Sequence, residues 1–147
     1  MNDDLTYLGL AEAAELIRDK KLSPVEYTTA LLARIDRHDP ELNAFIALTP
    51  ERALTAARSA EAEIAAGRRR GPFHGMPYAL KDIIDVEGLA TTAHSKILRG
   101  NTARRHAVVT ERLEAAGGVL LGKLSTHEFA IGGPSFDLPW PIMPGQI

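Results

Sequence analysis

The sequence predicts an α/β protein in which N-terminal helices are followed by a βαβ unit. Residues 1–70 place apolar side chains at helical spacing, and residues 71–138 carry two short apolar runs on either side of an amphipathic segment. A strand, a helix and a strand in that order favour a right-handed crossover between parallel strands. Residues 139–147 form a tail with three prolines, which predicts neither a regular helix nor a central strand.

The bulk composition is that of one ordinary globular domain. The chain has 147 residues, of which 45% are hydrophobic and 24% charged. A formal net charge of -2 gives no electrostatic reason to bind nucleic acid directly. Because there is no cysteine, disulfides, thiolate metal sites and a cysteine nucleophile are excluded.

The sequence also predicts a cytoplasmic protein without metal or cofactor. The N-terminus, MNDDLTYLGL, lacks the basic region and apolar core of a signal peptide, and no apolar run reaches membrane-spanning length. The histidines show no metal-ligand spacing, and the pair His127-Glu128 has Ile131 where a zinc protease motif needs a second histidine.

Helix signals punctuate the first half of the chain. Ser23 followed by Pro24 is typical of a helix N-terminus, with serine as the cap and proline at the first helical position. Asp39-Pro40 is expected to end this helix, because proline cannot donate the helical N–H bond. The next helix is expected from Thr49-Pro50 to near Gly67.

The second half alternates between strand and helix patterns. Residues 76–80 and the run GVLLGKLS are expected to be strands, and residues 107–116 an amphipathic helix between them. Ser125 and Glu128 have capping-box spacing and predict a short helix through Ala130.

The run GGVLLGKL nearly matches a phosphate-binding loop but fails in two respects. Leu124 stands where the motif needs a metal-binding hydroxyl, and the run follows a helix and forms a strand, whereas a phosphate loop follows a strand and opens a helix. Nucleotide binding at Lys123 is therefore a minor alternative.

Lys81 is the most unusual residue of the first strand pattern. Strand alternation places it on the face of Ala79 and opposite Leu80, at the carboxyl end of an expected parallel strand, where α/β sheets usually carry their sites. The spacing alone nevertheless favours a solvated strand-end lysine, paired with Asp82 or Asp85, over a catalytic one.

Three segments resemble the amidase signature family, which includes bacterial amidases and amidotransferase A subunits. GPFHGMPYALKDIIDVEGLATTAHSKIL resembles the family's lysine segment, and AVVTERLEAAGGVLLGKLSTHEFAIGGPS is similar to the segment that follows it. LSPVEYTTALLARIDRHDPELNAFIALTPERALTAA is similar to the family's N-terminal helices. The likeness runs in register to about Trp140, which implies the N-terminal part of the family's mixed-sheet fold.

The resemblance implies hydrolysis of a small-molecule amide by a Ser–cis-Ser–Lys triad. The lysine of the family's Lys-Asp pair falls on Lys81, which acts in neutral form as the base behind a bridging serine. The bridging serine relays the proton from the nucleophilic serine, while backbone amides hold the oxyanion. The resemblance places the substrate pocket near Ile131, Gly132, Gly133 and Ser135.

The same resemblance implies that the chain is truncated. Both serines of the family lie in a downstream Gly/Ser-rich stretch, and this sequence has none. The chain alone is therefore expected to be inactive, with incompletely covered strands that invite self-association. The alternative function is a non-catalytic binding or regulatory fragment that associates with an intact amidase or an amidotransferase partner subunit.

Overall fold

The computed structural model describes residues 3–132, which form helices, strands and three short 3₁₀ turns. The helices are α1 (Leu10–Arg18), α2 (Pro24–Leu42), α3 (Pro50–Ala65) and α4 (Val108–Ala115). The strands are β1 (Phe45–Leu48), β2 (Pro77–Lys81) and β3 (Val119–Leu124). Among these helices, none combines the length and the apolar character needed to span a bilayer.

The three strands form one mixed sheet in the order β1-β3-β2. β2 runs parallel to β3, because Val119 N–H bonds to the carbonyl of Met76 and Asp82 N–H bonds to that of Leu124, so both strands advance in the same direction. The predicted parallel pair on either side of a helix is thus confirmed. The helices and the mixed sheet confirm the predicted α/β class.

β1 adds an antiparallel edge to the sheet. Ala47 pairs with Lys123 and Leu48 with Gly122. A side chain at Gly122 would place its Cβ 2.2 Å from the carbonyl oxygen of Ala47, so this crossing requires glycine. With neighbours on both sides, β3 is buried from Val119 to Lys123, and the expectation that its apolar run would lack cover is wrong.

The predicted helix boundaries are confirmed except around α2 and the last turn. Ser23 caps α2 as predicted, since its hydroxyl accepts the N–H groups of Val25 and Glu26. The helix does not end at Asp39-Pro40 but continues to Leu42. Proline is tolerated there because only its own missing N–H bond is lost, in the last turn of the helix.

The predicted capping box at Ser125 is also wrong. Its hydroxyl donates to the carbonyl of Asn43 at 2.7 Å, and the residues that follow form a 3₁₀ turn, Glu128–Ala130, with His127 at the N-cap position. The contact that replaces the cap comes from a residue far away in sequence, which local spacing cannot reveal.

The described chain divides into two units that are each continuous in space but not in sequence. Unit 1 comprises residues 3–37, 49–78 and 112–121, and unit 2 comprises residues 38–48, 79–111 and 122–132. Unit 1 has an ordinary apolar core contributed by α1, α2, α3, the α1–α2 link and the residue before β2. Its buried members are Ala13, Ile17, Leu22, Tyr27, Ile64 and Met76.

Unit 2 has a much more polar interior than unit 1. Its buried apolar side chains are Leu80, Val86, Ala93 and Ala103. Its buried polar and charged side chains are Asp82, Thr91, His94, Ser95, Thr110, Lys123 and Thr126. Burial of so many polar groups is costly unless they bond to one another, so their partners indicate what this unit is built to hold.

Within unit 1, a buried histidine joins the chain after α3 to the α4–β3 turn. His74 is 1% exposed, and its Nδ1 accepts the backbone N–H of Arg70 at 3.1 Å. Its Nε2 lies 3.4 Å from Glu63, whose carboxylate also binds the Arg70 guanidinium. Gly117 must be glycine here, because a Cβ would stand 2.2 Å from the imidazole.

The pH dependence of folding should report this histidine. Burial first, and then the Arg70 cation, lower the pKa of His74 below 6.5, while Glu63 opposes the shift. Because the unfolded chain binds a proton that folded His74 resists, the free energy of unfolding should fall as pH decreases through about 6.5. Urea unfolding at pH 7.5 and 5.5 should show a loss about 1 kcal/mol smaller in His74→Gln than in the natural chain.

His127→Gln is the matched control for this measurement, because His127 is exposed. It measures how much a histidine outside the buried site contributes to the pH dependence. An equal loss of stability in His74→Gln and in the natural chain would show that His74 titrates alike in the folded and unfolded states.

Candidate active site

Lys81 lies at the carboxyl end of β2, and its side chain is exposed. Its carbonyl accepts the N–H of Ile83 at 2.8 Å and of Ile84 at 3.0 Å, so the chain turns immediately after the lysine. The sequence-based placement of Lys81 at the end of a parallel strand, on the face opposite buried Leu80, is confirmed. The Lys81 side chain is therefore located at the carboxyl edge of the sheet.

The next residue, Asp82, is buried, and its N–H, its carbonyl and one of its two carboxylate oxygens are hydrogen-bonded. Its N–H donates to the carbonyl of Leu124 at 3.0 Å, and its carbonyl accepts the N–H of Ala93 at 2.9 Å. Its Oδ2 accepts both the N–H and the hydroxyl of Thr92, the former at 3.0 Å. Asp82 thus joins the end of β2 to β3 and to the loop at residues 90–95.

The other carboxylate oxygen of Asp82 faces Lys123, which is 0% exposed. Lys123 Nζ lies 2.9 Å from Asp82 Oδ1 and donates to the carbonyl of Ala90 and the hydroxyl of Thr91, both at 3.1 Å. The ammonium group therefore contacts three oxygen atoms of the protein and is not available to bind a phosphate. Nucleotide binding at Lys123, the minor alternative, has no support in this geometry.

Sequence reasoning missed this ion pair, although a signal was present. Lys123 interrupts the apolar run of the second predicted strand, and Asp82 follows the first. A lysine within a buried strand needs a carboxylate partner, because an unpaired buried charge is very costly. The proximity of Lys81 and Asp82 in the sequence instead suggested that these two neighbours pair with each other.

A second layer of contacts ties residues 93–95 to the segment that follows β3. The carbonyl of Ala93 accepts the N–H of Phe129 at 2.9 Å, and the hydroxyl of Ser95 donates to Glu128 at 2.7 Å. His94 Nδ1 lies 2.6 Å from the carbonyl oxygen of Thr126. The Asp82 loop and the segment after β3 are thus held as one substructure of unit 2.

Both halves of this substructure adopt left-handed backbone conformations without glycine. The φ angles are 48° at Ala93, 57° at His94, 50° at Phe129 and 59° at Ala130. Each such residue costs of order 1 kcal/mol and persists only where the surroundings impose it. Backbone strain of this kind clusters at functional sites, and here it lies beside the residue that follows Lys81.

The predicted substrate residues are only partly within the described chain. Ile131 is 80% exposed, and Gly132 is exposed with φ +87°. Within residues 3–132, no hydrogen bond joins either of them to Lys81. Gly133 and Ser135 lie outside the described residues.

Unit 1 contains an open cleft of about 490 Å³ that is not part of this arrangement. Its walls include Arg52, Ser59, Arg70, His74 and Glu114, and Arg52 is paired with Glu114 at 2.6 Å. Lys81 does not line it. Lys81, the catalytic residue predicted from the sequence, therefore lies in unit 2 and outside this cleft.

The order of the site along the chain is thus a strand-end lysine, a buried aspartate and a strained loop. The profile of the amidase family matches residues 26–135, which include Lys81, Asp82 and Lys123. The chain belongs to the amidase family. The family suspected from the three sequence segments is confirmed.

Individual relatives agree with this membership of the amidase family. The glutamyl-tRNA(Gln) amidotransferase A subunit of Anaeromyxobacter sp. (strain K) is 47% identical over 129 residues, which is 88% of this chain and 26% of that protein. The peptide amidase of Stenotrophomonas maltophilia superposes with a TM-score of 0.78 at 36% identity, over 86% of this chain and 26% of its own. A fatty acid amide hydrolase superposes with a TM-score of 0.80 at 26% identity, over 84% of this chain and 22% of its own.

The chain spans about a quarter of the length of these amidase-family relatives. The match lies in their N-terminal portion. About three quarters of each of these relatives has no counterpart in this chain.

Proposed function

We propose that this chain is the lysine-bearing N-terminal part of an amidase-type hydrolase that cleaves carbon–nitrogen amide bonds by a Ser–cis-Ser–Lys mechanism. The single observation that supports this proposal is the position of Lys81. It is the exposed end residue of a parallel strand, inside the segment matched by the amidase family.

In this proposal, Lys81 is the base and the two serines are supplied by sequence of the kind that the relatives carry beyond the matched segment. The nucleophilic serine attacks the amide carbonyl, and its proton passes through the bridging serine to the Lys81 amine. The amine or ammonia leaves with a proton, and water then releases the acid from the acyl-serine. Ile131, Gly132, Gly133 and Ser135 are proposed to lie beside the amide substrate.

The exposure of Lys81 agrees with a site that this chain begins and does not complete. A lysine that serves as a base has to be neutral, and burial or nearby positive charge favours the neutral form. In the described residues Lys81 is exposed and lacks such cover. We propose that the missing cover comes together with the serines and that the chain alone is inactive.

A chimera tests this function. Residues 1–135 of this chain would replace the matching N-terminal part of the Stenotrophomonas maltophilia peptide amidase. We expect the chimera to hydrolyse a peptide amide and to be labelled by a fluorophosphonate, whereas the isolated chain should do neither. Turnover or labelling by the isolated chain would contradict the proposal, as would a folded chimera without activity.

The proposal extends to location and partners. We propose a cytoplasmic amidase-type protein that acts on a small-molecule amide, without a cofactor and without direct contact to nucleic acid. One set of relatives consists of amidotransferase subunits, so association with a partner subunit is proposed as well.

A second candidate function is a non-catalytic fragment that binds an intact amidase or amidotransferase partner. It is favoured by the exposed apolar side chains of unit 2, among them Ile97 at 83%, Ile131 at 80% and Val108 at 62%. This candidate assigns no role to the Lys81 amine, so the chimera separates the two functions.

A further inference from the structure

The buried ion pair between Lys123 and Asp82 is the feature of unit 2 that the proposed chemistry does not use. Lys123 is the largest of the fully buried side chains in the described residues. Burial of a charged pair is seldom worth its desolvation cost, since well-packed apolar residues of similar volume are often as stable or more stable. Its presence next to a candidate base therefore calls for a reason other than stability.

One member of the pair is the residue that directly follows Lys81. Asp82 directly follows Lys81, and its N–H, carbonyl and carboxylate are bonded to Leu124, Ala93 and Thr92. Lys123 holds the remaining carboxylate oxygen at 2.9 Å. The turn after Lys81 is thus held by these contacts of Asp82 as well as by the Lys81 carbonyl.

The charge of the pair also bears on the protonation of the Lys81 amine. A free carboxylate on the adjacent residue would stabilise a charged lysine, whereas a base has to be neutral. Strand alternation turns Asp82 inward and Lys81 outward, and the Lys123 ammonium cancels the Asp82 charge from inside. The sheet therefore carries an aspartate beside the base without presenting a negative charge to it.

We propose that Lys123 is a positioning residue for Lys81, which holds the Asp82 carboxylate inside unit 2 so that it neither binds nor charges the Lys81 amine. This inference rests on the proposed function, in which Lys81 is the base. It differs from a purely structural role, because it predicts a change in the titration of the Lys81 amine and not only in stability.

The other groups around the pair do not account for such an effect by themselves. Ala90 and Thr91 contribute neutral oxygen atoms to Lys123, and Thr92 contributes neutral donors to Asp82. His94 belongs to the same loop and donates its backbone N–H to the Thr92 hydroxyl. Asp85 is half-buried further along the turn, and neither of these groups is changed in the experiment below.

The test measures the pH profile of Lys81 acetylation in the full 147-residue chain. Trace acetic anhydride is applied between pH 7 and 12, and Lys81 modification is quantified by mass spectrometry against the exposed Lys21. In Lys123→Met the Asp82 charge is no longer cancelled. We expect the midpoint of the Lys81 profile to rise by about half a pH unit, which is about threefold slower acetylation below the midpoint.

The matched variants separate charge from packing. Lys123→Gln keeps a donor for Ala90 and Thr91 but carries no charge, and it should shift the midpoint in the same direction. Asp82→Asn/Lys123→Met removes both charges and should return the midpoint to within about 0.2 pH units of the natural chain. Lys96→Met removes an exposed lysine of unit 2 and should leave the profile unchanged.

Each outcome decides the question. An unchanged Lys81 midpoint in a folded Lys123→Met or Lys123→Gln variant overturns the inference. If neither single variant folds, the double variant remains, and a midpoint displaced by more than about 0.3 pH units overturns it. The readout needs no catalysis, so an inactive chimera with the expected shift overturns only the proposed function, and an active chimera without the shift overturns only this inference.

Discussion

Lys81→Met is expected to lower kcat/KM of the amidase chimera by about 10⁴- to 10⁶-fold, because loss of one member of a proton-relay triad costs nearly as much as loss of the whole triad. Methionine keeps an unbranched side chain as far as Cε, with sulfur at the δ position, and lacks the amine. Since Lys81 is exposed at the end of β2, the substitution should leave the fold intact. The measurement is steady-state hydrolysis of a peptide amide, with circular dichroism of each variant.

Two comparisons make this result specific. Lys96→Met removes another exposed lysine from unit 2 and should keep the full rate. Fluorophosphonate labelling of Lys81→Met should slow as well, because the serine then lacks the base that takes its proton. A chimera that keeps its rate without the Lys81 amine would show that another group is the base.

Lys123→Met is expected to lower the free energy of unfolding by about 3–5 kcal/mol, because it leaves the Asp82 carboxylate buried without its cation. Whole domains of this kind are stable by only about 5–15 kcal/mol, so the variant should lie close to unfolding. Asp82 is 1% exposed and cannot regain its hydration without opening the loop that Thr92 and Ala93 form. Urea unfolding followed by circular dichroism gives the measurement.

The double variant Asp82→Asn/Lys123→Met is the control, because it removes both charges at once. Its stability should lie within about 1 kcal/mol of the natural chain, since a buried ion pair is often matched by neutral groups of similar volume. If Lys123→Met alone were as stable as the natural chain, the burial of this pair would not be what the structure describes.

Local signals in the sequence were enough for most of the elements of the fold. Ser23-Pro24 marks the start of α2, and Pro50 with Gly67 frames α3, because caps and breakers act within a few residues. The predicted end of α2 was wrong for the same reason. Pro40 is a strong local breaker, and whether its one missing N–H bond ends the helix depends on what surrounds it.

The candidate site was predictable only in part. The position of Lys81 follows from strand alternation and from the parallel pairing of β2 with β3, and both were available in the sequence. Its role came from the family resemblance and stays a proposal. The contacts of Asp82 were not predictable, since Lys123, Thr92 and Ala93 come from other parts of the chain.

The sequence by itself determined the α/β class, the order of the helices and of the two parallel strands, the membership of the amidase family and the lysine at a strand end. These depend on periodicity and local capping or on residues in family register. Only the tertiary structure decided which lysine is buried and which is exposed. Lys81 and Lys123 both occur in apolar strand runs, but only β3 has a strand on each side. Lys123 is therefore buried, and its charge is stabilised inside the fold by Asp82.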